Sequence, residues 1–160
     1  MGDACHHADH AAHPGLTGRA LGDALGWAER RCAERQERLT PPRRRVLELL
    51  LGSDAPLKAY DLIAAYGGGG EPAKPPTVYR ALEFLQRQGL AHRIESLNAY
   101  VPCRLTAAAH SAAFLICDCC GAAEEFDPDF TAQLTAAQAR GYAAQTITLE
   151  VRGRCPACRE

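Results

Sequence analysis

Cys117 and Cys120 are separated by two residues, as are Cys155 and Cys158, with 34 residues between the pairs. Each pair can close a tight turn around one cation. Four thiolates in a tetrahedron with no open position make a structural zinc site. Such a site obliges the last turn of the chain to return onto residues 117–120. Gly121, directly after the first pair, fits a knuckle whose backbone N–H groups reach the ligand sulfurs. Cys119 opens other pairings, with Cys117 or with its neighbour Cys120. The matched CxxC spacing favours Cys117 and Cys120 with Cys155 and Cys158. A redox-active CxxC is the weaker alternative, because neither pair falls between a strand and a helix of a βαβ pattern.

The metal reading depends on reduced thiols. The chain shows no basic n-region followed by an apolar h-region, no prenylation or ER-retention ending, and no run of about 18 uncharged apolar residues. The expectation is a cytoplasmic protein with no membrane partner. There, paired cysteines signal metal or redox chemistry rather than disulfide staples. Six of the eight cysteines lie after residue 102, the first hint of two halves. With 47% apolar and 23% charged residues, a wholly disordered chain is excluded.

The periodicity fills in those halves. Residues 1–16, with four histidines and Cys5, show no amphipathic period and read as a disordered tail. A helix is expected from Thr17, with Leu21, Leu25 and Ala28 on one face. A second starts at Thr40-Pro41 and stops at Gly52-Ser53, a third covers Ala59–Tyr66, and a fourth runs from Pro75 to Gly89. Two strand-like runs, Leu90–Glu95 and Ala99–Pro102, flank a short turn. Packed helices followed by a β-hairpin describe a winged helix-turn-helix over 17–102. Residues 103–160 predict a strand at Ala112–Cys117, a helix at Pro128–Arg140 with Phe130 and Leu134 inward, and a strand at Gln145–Val151. A unit of about 58 residues needs a metal or a partner chain to make up for a small core.

A looser constellation joins the halves. His92 lies in the wing, Cys103 just beyond it, His110 in the following segment and Glu125 after the knuckle. Together they form a mixed N2SO set that suits a more reversible zinc site than four thiolates. The net charge of −1 alone indicates no nucleic-acid partner, but seven arginines crowd residues 30–45 against only Glu34 and Glu37. Such a stripe supplies either phosphate contacts or a solvated helix face.

Leu39-Thr-Pro-Pro-Arg43, Ala59-Tyr-Asp-Leu62, Lys74-Pro-Pro-Thr-Val-Tyr-Arg-Ala-Leu82 and Phe114-Leu-Ile-Cys-Asp-Cys-Cys-Gly121 resemble the ferric uptake regulator superfamily. With Gly89-Leu-Ala-His92 and Glu95-Ser-Leu-Asn-Ala-Tyr-Val-Pro-Cys103, the resemblance over roughly 37–160 is closest to its zinc-uptake branch. It implies an α+β fold, an N-terminal winged helix-turn-helix plus a small C-terminal α/β dimerisation domain with structural zinc. It also implies two zinc ions per chain: structural zinc on Cys117, Cys120, Cys155 and Cys158, and regulatory zinc on His92, Cys103, His110 and Glu125. The helix Pro76–Gln88 matches the recognition helix, with Tyr79 and Arg80 toward DNA, and Tyr60 matches a further contact.

The expected function is a homodimeric, zinc-responsive repressor that binds double-stranded operator DNA and silences zinc-uptake genes. It is not an enzyme and has no small-molecule substrate other than zinc. Arg80 would read a base edge, Thr77 would lie on the same helix face, and Arg43, Arg44, Lys74 and Arg87 would grip phosphates. The alternatives are a sister regulator of another metal or of peroxide, and a zinc-buffering protein using the His-rich tail.

Overall fold

The computed structural model describes residues 14–68, 73–104, 112–144 and 147–159. Four helices open the fold: α1 Gly18–Glu34, α2 Pro41–Gly52, α3 Ala59–Ala65 and α4 Pro75–Arg87. Leu25, Ala28 and Cys32, three and four apart, bury one stripe of α1 against Val46, Leu47 and Leu50 of α2. Leu16, assigned to the tail by sequence, rests on this core and donates its N–H to Leu51 O at 2.8 Å.

Proline at the first helical position starts both α2 and α4. Thr40 stands at the N-cap of α2 as expected, but its hydroxyl makes no capping bond; its carbonyl accepts from Arg44 N at 2.9 Å. The short α3 is capped by Asp61, whose carboxylate accepts Lys58 N–H at 3.0 Å. The far end of α4 turns sharply. Gly89 takes φ +66°, its N–H bonds Gln86 O at 2.9 Å, and Leu90 N–H bonds Leu85 O at 2.8 Å. That left-handed turn launches the wing, so Gly89→Ala is expected to cost about 1 kcal/mol. Thermal unfolding of the variant beside the parent checks it; an unchanged midpoint would contradict the account.

The wing is the hairpin β1 Ala91–Ile94 and β2 Ala99–Pro102, with His92 opposite Val101 and Ile94 opposite Ala99. Asn98 closes its turn at φ +47°. Leu57 adds a third edge through two backbone bonds to Tyr100, at 2.7 and 2.9 Å.

The C-terminal half is a three-stranded sheet in the order β4-β3-β5, from β3 Ala112–Cys117, β4 Ala123–Phe126 and β5 Thr148–Gly153. β3 and β4 form an antiparallel hairpin, and helix α5 Thr131–Ala139 carries the chain over so that β5 runs parallel to β3. The buried residues under this sheet are Ile94, Phe114 and Ile116, with Leu97, Val101, Ala112 and Ala123 packed around them. Ile94, Leu97 and Val101 belong to the wing, so this half takes part of its core from the other.

Two expectations change here. β4 was not anticipated. Leu134 does not face inward: it is 37% exposed, and no residue of α5 is buried, while Phe130 is half-buried just ahead of the helix. Among the described residues the wing shares the sheet's buried cluster, and α5 buries no residue against it. Among the described residues, no helix is long and apolar enough to cross a membrane.

Candidate metal centres and nucleic-acid face

The β3–β4 turn and the chain terminus meet at one corner of the sheet. Gly121 takes φ +73° and donates to Cys117 O at 3.0 Å, completing a knuckle. Asp118 N–H bonds Gly153 O at 2.7 Å, and the Arg152 guanidinium clasps the Asp118 carboxylate. These contacts fasten the end of β5 to the knuckle and deliver Cys155 and Cys158 beside Cys117 and Cys120. The four Sγ atoms lie within 4.8 Å of one another, with Cys120 and Cys155 at 3.9 Å. Zn–S bonds of about 2.3 Å in a tetrahedron require sulfurs about 3.8 Å apart. The donor set therefore fits a zinc ion. Cys119 is not one of the four.

Their protonation supports this fit. Burial pushes the Cys117 thiol up, but N–H groups of Cys120, Cys155 and Cys119 outweigh it and bring it down to about 6. Cys155 N–H lies 3.3 Å from its sulfur. Cys158 is pushed up to about 12 by burial and by the neighbouring thiols. Without a cation Cys117 gives up its proton well before Cys158. Metal binding would expel the remaining protons, which makes affinity rise with pH.

A second donor cluster sits where the wing root meets the sheet. Nε2 of His92 lies 2.9 Å from Oε1 of Glu125. Cys103 Sγ is 3.9 Å from the same oxygen, and Arg104 N–H donates to Glu125 Oε2 at 2.9 Å. The three donors fall within 4.8 Å of one another. His92 comes from β1, Cys103 from the residue just after β2 and Glu125 from β4, so the wing and the sheet together build the cluster. The His92 ring packs edge-on to Phe114, with centroids 5.9 Å apart. One thiol, one imidazole and one carboxylate form a set that zinc accepts. His110 lies outside the described residues.

The third feature is the outer face of α3 and α4. Val78, Ala81, Leu82, Phe84 and Leu85 bury one side of α4. Tyr79 is 53% exposed, Tyr60 on α3 is 64% exposed, and Lys74, Arg80 and Arg87 are exposed while Thr77 is half-buried. The basic side chains differ in freedom. Arg43 stacks 3.5 Å above the Phe84 ring and donates to Arg38 O at 2.6 Å. Arg44 pairs with Glu29 at 2.9 Å, Arg87 stands 4.0 Å from Glu37, and Arg45 caps α3 through Tyr66 O at 3.0 Å. Among the described residues, Lys74 and Arg80 have no acidic partner. Phe84, the platform under Arg43, lies three residues after Ala81 and fits the helical period.

Four likenesses bear on these features. The model of the ferric uptake regulator family matches residues 34–152. The zinc uptake regulation protein of Escherichia coli (strain K12) is 43% identical over 141 residues, covering 86% of this chain and 82% of its own. A solved structure of a zinc uptake regulator complexed with zinc and DNA superposes with a TM-score of 0.82 at 41% identity, over 88% of this chain and 96% of that one. The crystal structure of holo XcZur gives 0.77 at 45% identity, over 85% and 96% respectively.

Proposed function

The chain belongs to the ferric uptake regulator family, and from that premise we propose that it is a zinc-responsive transcriptional repressor. Zinc-loaded, it binds operator DNA as a homodimer in the cytoplasm and represses zinc-uptake genes. It is a regulator, not an enzyme. The observation that carries the reading is the hinge cluster: donors from the wing and from the C-terminal sheet converge within 4.8 Å. A cation there cross-links the DNA-reading half to the other half. Cys103 in the set favours zinc over manganese or magnesium, which prefer oxygen donors.

In this reading each chain takes two zinc ions. Cys117, Cys120, Cys155 and Cys158 hold the structural one; His92, Cys103 and Glu125, with His110 as the fourth donor, hold the regulatory one. Residues 17–102, with Leu16 packed on their core, form the DNA-binding domain and 103–160 the dimerisation domain. Leu115, Val151 and Leu134, each more than a third exposed on that half, supply apolar surface for a second copy. A symmetric dimer sets two α4 helices into successive major grooves. Tyr60, Thr77, Tyr79 and Arg80 face the bases and sugars; Lys74 and Arg87, with Arg43 and Arg44 at the flank, face phosphates.

The test begins by selecting duplexes from a random pool at saturating zinc, then titrates binding with zinc, manganese, iron and nickel. Tight binding only with zinc is expected; equal binding with a chelator present would refute the reading. On the selected duplex, Arg80→Ala is expected to cost about 1–3 kcal/mol and relax one base position. Lys74→Ala should weaken all sequences alike and flatten the salt dependence. Identical profiles for the two variants would contradict this placing of α4.

A further inference from the structure

Phe114 stands between two carboxylates. It is the register partner of Glu125 on β4 and of Glu150 on β5, so the three residues form one row across the sheet. Residues paired in register share a face of a sheet. The Phe114 ring lies under the wing, buried with Ile94 and edge-on to His92. The two carboxylates meet the wing at opposite ends. Glu125 lies at its root, beside His92 and Cys103. Glu150 lies at its tip: Oε1 accepts Glu95 N–H at 2.7 Å and Oε2 accepts Ser96 N–H at 3.2 Å. Glu95 and Ser96 follow the last residue of β1, so their amides lie beyond the β1–β2 register. Burial between sheet and wing pushes the Glu150 carboxyl up, but the Ser96 hydroxyl, the two amides and the Arg152 charge outweigh it and hold it below the usual carboxylate range.

We propose that Glu150 is a metal-independent latch, a positioning residue that holds the wing tip on the C-terminal sheet in the arrangement where the hinge donors converge. It rests on the reading of that hinge as the regulatory zinc site. A ligand that binds one arrangement better than another gains affinity from anything that stabilises the first. Glu150 therefore raises the sensor site's affinity for zinc without touching the ion. Reciprocally, zinc at the hinge tightens the grip of Glu150 on the two amides. Hydrogen bonds to a charged group are the strong ones, and losing two of them on one carboxylate is worth about tenfold or more in that equilibrium.

The experiment uses the full chain with its structural zinc in place. Sensor-site affinity is read by competition with a chromogenic chelator, and amide hydrogen exchange is read at Glu95 and Ser96. In Glu150→Ala, sensor affinity is expected to fall about tenfold or more, exchange at those amides to speed up, and the first zinc per chain to remain. Glu150→Gln, which keeps one acceptor and nearly the same volume, is expected to fall between alanine and the parent. That isosteric variant also guards against a folding failure. Parent-like zinc affinity in either variant, or faster amide exchange without a change in affinity, would overturn the latch. Neither readout uses DNA. A parent protein whose duplex binding ignores zinc would refute the proposed function while leaving this result standing.

Discussion

Cys155→Ser is expected to strip the structural metal and, with it, the folded C-terminal half. A hydroxyl is a far poorer zinc ligand than a thiolate, and a three-thiolate remnant leaves an open position. The free energy that a structural zinc contributes, about 10–16 kcal/mol in finger peptides, is comparable to the whole stability of a domain, about 5–15 kcal/mol. This half has little to substitute for it. Its buried cluster is Ile94, Phe114 and Ile116, one of them borrowed from the wing, and no residue of α5 is buried. The parallel pairing of β5 with β3 ends at Cys117 and Gly153, where the knuckle begins. The helical half should survive, since Leu25, Val46, Leu50, Leu62, Val78 and Leu85 form a separate core. Metal content per chain, light scattering and far-UV circular dichroism are the measurements. Loss of zinc and of the dimer with most helix signal retained is the expected result. A variant that keeps a parent-like metal count and dimer would refute the structural assignment of this site.

The elements that could be read directly were those whose signal is local. Pro41 and Pro75 start α2 and α4, Gly89 ends α4, and Ala99–Pro102 emerges as β2 with the bounds expected. Four cysteines at matched spacing foretold the corner that the structure builds. β4 escaped because Ala123–Phe126 carries two acids within four residues, and its strand character comes from pairing with β3 rather than from its own period. The misjudged face of α5 has a related cause. Periodicity finds an apolar stripe but not what covers it, and Leu134 is left 37% exposed. Glu150 was invisible for a third reason. An acid in a strand pattern reads as solvent-facing, and only the tertiary approach of the wing turn gives it two backbone donors. The hinge donors could be gathered as a set because each is a metal-ligating type. Their approach across 33 residues, from His92 to Glu125, is a product of the wing docking on the sheet.

Cys103→Ser is expected to separate sensing from folding. Cys103 follows β2 and its N–H bonds Leu90 O at 3.0 Å, so its backbone is held by the wing whether or not metal is present. Serine keeps that bond and nearly the same volume, and no core cluster includes this residue. Removing an outer-shell partner already costs about 10–100-fold in metal affinity, so removing a donor costs at least about 100-fold. The tetrathiolate corner, built by other elements, is untouched. The variant should therefore remain folded and dimeric with one zinc per chain, and its duplex binding should no longer respond to zinc. In the proposed function the ion acts through the population of a docked shape, so residual binding should resemble that of the metal-depleted parent rather than vanish. This separates it from Cys155→Ser, which loses zinc and assembly together, and from Glu150→Ala, which shifts the zinc midpoint without abolishing the response. Zinc-titrated duplex binding with metal analysis on the same samples decides it. Unfolding, or a full zinc response in Cys103→Ser, would overturn the division of the chain into a structural and a sensing site.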